Sequence, residues 1–501
     1  MNNLLNFFGL DWEKLKSLLL YHQSEPMLFN SGLFLFLFLA FIAVYTALSK
    51  RFTVRVLFVI AFSYFFYYKS SGMYFLLLAI VTLGDFFLGQ AIYKAKTQSV
   101  RKILVAISVI IGLGILAYFK YFNFFGATFS SIIGGNFQPS DIFLPVGVSF
   151  FTFQSLSYTI DVYRGNIKPL DKILDYAFFV SFFPQLVAGP IVRARDFIPQ
   201  IRQPLKVTNA MIGMGIYLII CGLFKKAIIS DYIGVNFVDR IFDNPSLYSG
   251  IENLLGVYGY GLQIYCDFSG YSDMAIGIAL LLGFRYPANF DSPYKSVNLT
   301  EFWRRWHISL SSWLRDYLYI SLGGNRKGKI RTYINLVITM LLGGLWHGAN
   351  WNFIIWGGLH GTGLAFHKFF TTIRHKDKKA VSSPHTLIHW VGVIFTFHFV
   401  MFAWIFFRNS SLDACKTVLS QIFGNLQLHI LWQVLTGYKL VFIFIFIGYL
   451  LHFMPLRIEN FVKNKFLNLP LLLKAATVVV LIYFIVQIKS SDVQPFIYFQ
   501  F

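Results

Sequence analysis

The 501-residue chain is 56% hydrophobic and 19% aromatic, with only 13% charged residues, which excludes a soluble domain of ordinary make-up and places the protein in a bilayer. Its 43 Lys+Arg against 22 Asp+Glu give +21; in a soluble protein this would suggest nucleic acid, but here the excess is spread over loops between apolar spans, where it sets topology. The three cysteines, Cys221, Cys266 and Cys415, lie far apart in apolar settings and offer neither a disulfide framework nor metal-ligand spacing.

Residues 1–30 do not read as a signal peptide, because Asp11 and Glu13 stand where a basic region belongs and no small-residue cleavage site follows. Leu4, Leu5, Phe8, Trp12, Leu15 and Leu19 recur at helical spacing, which predicts an interfacial segment ahead of a single membrane domain spanning 31–501. Apolar runs at 31–48, 54–68, 73–93 and 103–119 each approach the ~20 residues a bilayer helix needs. Lys50, Arg51 and Arg55 fill the first connection and Lys94, Lys96, Arg101 and Lys102 the third, so these loops are expected to be cytoplasmic and the N-terminus extracytoplasmic. Further on, runs such as 176–187, 254–264 and 274–282 are too short to span. Such pieces are tolerated at membrane depth only under a cover of protein or along a cavity, which predicts a re-entrant core in the middle of the chain. The basic clusters at 326–331 and 374–379 read as solvated loops.

The densest polar region, 291–331, reads as one helix capped by Asn298, with Glu301 as capping-box partner and Gly323, Gly324 and Asn325 as the stop. On it Trp303, Trp306, His307, Leu310, Leu314 and Tyr317 share a side, while Arg304, Arg305, Ser311, Ser312 and Arg315 lie mostly on others. His307 is either a core histidine satisfied by a carbonyl or a functional one, and the arginines could equally be interfacial anchors. His347 ends an apolar run before Gly348, and an intramembrane histidine of this kind usually faces a bundle interior or a cavity. The Gly344/Gly348 and Gly357/Gly361 pairs have the spacing that lets helices approach closely, leaving a packed core histidine as the alternative reading. His360 and His367 lack partners at ligand spacing and read as packing residues, so no metal site is expected. Residues 270–274 lack the closing glycine of a nucleophile elbow, and no P-loop, HExxH or GxGxxG occurs, which weakens a covalent serine mechanism. What remains is a neutral intramembrane imidazole that could take a proton from an acceptor hydroxyl.

Residues 298–326, above all RRWHISL at 304–310 and LRDY at 314–317, together with GGLWHGA at 343–349, resemble the membrane-bound O-acyltransferase family, and within it the alginate O-acetylase branch. Supporting stretches are 182–190, 267–275 and the tail 495–501; the resemblance runs from about residue 27 to the C-terminus, with its signature core at about 144–367. Ser321 departs from the proline usual in that branch. The resemblance implies an all-α polytopic membrane protein of the bacterial inner membrane, a ring of about eleven or more transmembrane helices around re-entrant helices and a central tunnel. It makes His347 the intramembrane catalytic histidine and His307 the second signature histidine. Arg304, Arg305 and Arg315 would meet anionic groups of a donor, and Trp306, Asp316, Trp346 and Asp267 join them as candidate binding residues. It further implies no tightly bound cofactor, an acyl donor such as acetyl-CoA or another thioester as substrate, a secreted polysaccharide such as alginate as indirect acceptor, an extracytoplasmic SGNH-type acyltransferase or esterase partner, membrane lipid as surroundings, and no nucleic acid. D-alanyl transfer to teichoic acids is the alternative within the family, and a lipid-linked sugar flippase or transporter the alternative outside it.

Overall fold

The computed structural model describes residues 12–23, 26–187, 189–374, 387–488, 494 and 497. Among them the chain is helical, without a strand, as expected where no water can satisfy backbone N–H and C=O groups. Among the described residues, four helices are long and apolar enough to cross a bilayer, or up to six if two sharply bent pairs each form one span. Further apolar helices are shorter, such as Gly32–Ala47, or carry polar groups, such as Lys329–His347. The protein is an all-α, multi-pass membrane protein. Of the interfacial segment, Trp12–Leu19 is a helix with Leu18 and Leu19 exposed; Leu4, Leu5 and Phe8 lie outside the described residues, as do 375–379 of the second basic loop and the tail 495–501 apart from Ile497.

The chain divides into two compact units, the first comprising 1–211 with 278–286. Its opening helices start where the sequence supplies oxygens: Ser31 Oγ accepts from the Phe34 N–H at 3.2 Å and Thr97 Oγ1 from that of Val100 at 3.3 Å. Phe183, fully buried, gathers the rings of Phe34, Phe38, Phe41, Phe62 and Phe66 around it. The helices Ile173–Ser181 and Phe183–Leu186 are too short to span, and the break between them is covered: Gln154 and Gln185 both donate side-chain N–H groups to the Phe179 carbonyl, at 2.9 and 2.5 Å.

In the second unit, 212–277 with 287–501, the helix that begins at Asn209 runs to Asp243 through π-helical stretches at Phe224–Ser230 and Gly234–Val238. The wider π turn aims consecutive lysines at one neighbouring helix. Lys225 Nζ lies 2.5 Å from Asp273, and Lys226 Nζ lies 2.5 Å from Asp267 and 2.8 Å from Asp231. These pairs correct the sequence reading of two short apolar pieces at 254–264 and 274–282. The polar residues between them are neutralised, so Gly250–Leu281 continues as a single helix. Its glycines seat it against its neighbour: a Cβ on Gly222 would stand 2.5 Å from the Gly270 carbonyl oxygen, and one on Gly277 would stand 2.6 Å from that of Gly215.

Gly222→Ala is therefore expected to lower stability by about 1–3 kcal/mol through overpacking against backbone. Gly114→Ala, with open space around its Cβ position, should instead gain about 0.5–1 kcal/mol. Thermal unfolding of both variants in one detergent checks the contrast; equal behaviour would refute the glycine seam.

Candidate functional site

The helix expected over 298–323 begins as read, with Asn298 Oδ1 accepting from the Glu301 N–H at 2.9 Å and Glu301 Oε2 accepting from that of Val297 at 3.1 Å. It does not run through. It breaks at His307, whose φ of +43° is left-handed, into Leu299–Arg305 and Ile308–Trp313, then passes into a π-helical turn at Leu314–Tyr319. A left-handed conformation costs an ordinary residue ~1–2 kcal/mol, so it persists where the surroundings over-determine it. Here the 289–291 segment does so: the Ile308 N–H donates to the Asn289 carbonyl at 2.9 Å and the Asp291 N–H to the Arg305 carbonyl at 3.0 Å.

The Asn289 side chain completes the break. Its Oδ1 accepts from the Ser309 N–H at 3.2 Å and from Ser309 Oγ at 2.9 Å, while its Nδ2 donates to Ser272 Oγ at 3.0 Å. The backbone donor fixes which carboxamide atom is oxygen, so His307 Nδ1, 3.2 Å from the same Oδ1, must carry the proton. The lone pair then sits on Nε2, which is buried and has no hydrogen-bond partner among the described residues. His307 is fully buried, edge-on to Phe268 with centroids 4.5 Å apart.

His347 is the last residue of the helix Lys329–His347 and sits at the turn into Trp351–Arg374. The two helices run antiparallel in backbone contact: a Cβ on Gly344 would lie 2.1 Å from the Phe353 carbonyl oxygen, one on Gly357 would lie 2.3 Å from that of Met340, and one on Gly361 would lie 2.9 Å from Val337 Cα. The close approach expected of these glycines is present, and Gly348 packs on the Phe353 ring. The turn is pinned by Asn350 Nδ2 to the Ser410 carbonyl at 2.6 Å and Asn352 Nδ2 to that of Asn409 at 2.7 Å. The His347 ring is buried among Trp346, Trp356 and Phe407, with centroids at 5.0, 5.1 and 5.2 Å. Trp346 lies 6.3 Å from His307 as well, which holds the two imidazoles within about 11 Å of each other.

The other candidates divide into three settings. Trp306 belongs to the aromatic core, stacked on Phe302 at 5.7 Å and 5.0 Å from Trp404. Arg304 and Arg315 line a cavity of about 420 Å³ with Trp303, Ile308, Tyr319 and Lys368; no carboxylate lines it, and Asp316 binds Arg315 from outside at 2.7 Å. Neither His307 nor His347 lines this cavity, which meets their surroundings through Ile308 and Trp303. Arg305 turns elsewhere, to Glu301 at 2.9 Å and Asp291 at 3.2 Å. Asp267 is engaged on both oxygens, by Lys226 and by the Ile497 N–H at 3.1 Å.

Sequence reading passed over Asn289, for which no local pattern exists. It also passed over His452, which accepts from the Tyr294 N–H at 3.1 Å and lies in the last turn of the apolar helix Lys439–Phe453. His360, a packing or interface residue by its spacing, accepts at Nδ1 from Trp303 Nε1 at 3.3 Å within the aromatic cluster that includes Trp356.

Comparison with known proteins bears on this site. The profile of the membrane-bound O-acyltransferase family matches residues 168–412, which contain both signature histidines. A probable alginate O-acetylase of Azotobacter vinelandii is 42% identical over 407 residues, covering 79% of this chain and 78% of that protein. A peptidoglycan O-acetyltransferase of Helicobacter pylori is 37% identical over 430 residues, 79% of this chain and 80% of that protein. More distantly, a teichoic acid D-alanyltransferase of Bacillus subtilis is 29% identical over 392 residues, 68% of this chain and 97% of that protein.

Replacing Asn289 by Ala strips the buried Ser309 amide and His307 Nδ1–H of their acceptor, so a loss of about 1–3 kcal/mol is expected. Ser272→Ala leaves both contacts in place and should cost less. Thermal unfolding measures the two side by side, and a larger loss in Ser272→Ala would show that Asn289 does not hold the break.

Proposed function

The chain belongs to the membrane-bound O-acyltransferase family, and from that premise we propose that it moves acetyl groups across the membrane for O-acetylation of alginate or another secreted polysaccharide. The pair of buried histidines flanking Trp346 carries this reading. Relatives named for acetylating alginate and peptidoglycan support a polysaccharide as the final acceptor. D-alanyl transfer is the second reading, favoured by the teichoic acid relative that this chain covers almost end to end.

In this reading the donor is a thioester such as acetyl-CoA. Its phosphates meet Arg304, Arg315 and Lys368 in the 420 Å³ cavity, which no carboxylate lines, although Asp316 already engages Arg315 Nε at 2.7 Å. His347 takes the proton of the attacking hydroxyl as the new C–O bond forms and the thioester C–S bond breaks, then returns that proton to the departing thiolate. His307 accepts a hydrogen bond at Nε2 from donor or acceptor and orients it, its ring held by Asn289. An extracytoplasmic SGNH-type partner then carries the acyl group to the polymer. In the bacterial inner membrane the basic loops at 50–55 and 94–102 are cytoplasmic and the N-terminus extracytoplasmic, in keeping with the bias of Lys and Arg.

Purified protein given labelled acetyl-CoA is expected to yield acetylated acceptor only when the partner is added. His347→Ala should abolish transfer while the protein still purifies folded, and Arg304→Gln with Arg315→Gln should raise the donor KM about tenfold with kcat little changed. Normal transfer by His347→Ala removes it from the mechanism, and movement of cargo without any acylated product makes the protein a transporter.

A cysteine placed at Arg51 should react with an impermeant thiol reagent only after the cells are opened. Reaction in intact cells reverses the topology.

A further inference from the structure

A second cavity, of about 610 Å³, is lined wholly by residues of the first unit, and neither His307 nor His347 is among them. Arg55, Lys206 and Arg285 supply its charge, Gln203 adds a polar group, and Leu205 and Phe284 add apolar wall; no Asp or Glu lines it. Arg55 is 7% exposed, yet its guanidinium meets no carboxylate among the described residues. It is held by the Ser49 carbonyl, to which Nη1 donates at 2.9 Å, and by the faces of Tyr45 and Phe52 at 5.7 and 5.8 Å. The contrast with nearby Arg202 is direct, since that residue has a carboxylate supplied, Asp175 at 2.6 Å. A nearly buried cation without a counter-charge is costly, and it is kept where an anion arrives from outside.

The frame around these charges is preformed. Gln200 clasps the backbone of Arg285 at two points, Oε1 accepting its N–H at 2.9 Å and Nε2 donating to its carbonyl at 3.1 Å. Gly283, at φ +87°, makes the turn that brings Phe284 and Arg285 to the cavity. On the same helix Phe52–Ser71, Val54 and Leu57 share an exposed apolar face beside that of Arg55, as on a helix that meets acyl chains. The cavity is far larger than one phosphate needs, and its apolar wall suits a glycerol backbone.

We propose that this cavity binds the phosphate of an anionic phospholipid headgroup, with Arg55 as the fixed cation and Lys206 and Arg285 as its exposed companions. The site is independent of the acyl-transfer reading.

Native mass spectrometry and thermal unfolding of the full chain, titrated with phosphatidylglycerol, phosphatidylcholine or inorganic phosphate, test it. The unmodified protein should retain phosphatidylglycerol and unfold at higher temperature with it, and phosphatidylcholine should do neither. The double variant Lys206→Gln/Arg285→Gln, altered only at exposed side chains, should bind phosphatidylglycerol about tenfold more weakly. The charge-conserving Lys206→Arg/Arg285→Lys should bind it normally, which separates lost charge from lost folding. Equal retention of the two lipids, or undiminished binding by the Gln variant, overturns the proposal. So does a full thermal shift from inorganic phosphate with nothing added by phosphatidylglycerol, the mark of a free-anion site.

Discussion

The constraint on which the site depends is the broken backbone at His307. A chain at membrane depth cannot leave amides bare, so a helix can be interrupted there only if other protein groups take over its hydrogen bonds. Residues 289–291 do this with two backbone bonds, and the Asn289 carboxamide supplies the rest. The break separates what a continuous helix would have kept on one lattice. Trp306 remains with the aromatic core, Arg304 opens on a cavity that Trp303 also lines, and His307 turns to Phe268 and Trp346. Removing the interruption would therefore rearrange the arginines as well as the histidine.

Charge is buried on the same terms. Lys226, 1% exposed, is shared by Asp231 and Asp267, and Asp267 reaches on to the Ile497 amide. Such a cluster is costly to assemble and costlier to leave incomplete, so its members act as a unit. This gives Asp267 a structural role distinct from the donor-facing one implied by the resemblance, and it ties Ile497 to the long helix Gly250–Leu281. Arg305 is committed in the same way to Glu301 and Asp291, while Arg304 and Arg315, the latter paired with Asp316, line the cavity.

Much of this was legible in the sequence because it rests on local rules. The Asn298 cap, the close glycines around His347 and the short covered helices at 173–186 all follow from spacing and from the ban on bare backbone, whereas the single apolar side expected to carry Trp303, Trp306 and His307 is divided by the break. The break at His307 was not legible, since its cause lies in Asn289, eighteen positions earlier and without a pattern of its own. The continuous helix 250–281 was missed for a related reason. Asp267 and Asp273 look like interruptions until the lysines that neutralise them are known, and those lysines owe their direction to a π turn that hydropathy does not register. His452 was open to the rule that picked out His347, but lacked a surrounding motif.

The hairpin that carries His347 has a mechanical consequence. Where two helices touch through glycines, no layer of side chains lies between them to slide or repack, and Gly344, Gly357 and Gly361 make the pair move as one body. A bilayer that thins or thickens is accommodated by tilting whole helices. The tilt then falls on both arms together, and the imidazole at the closed end keeps its tryptophan neighbours whatever the thickness of the membrane around it.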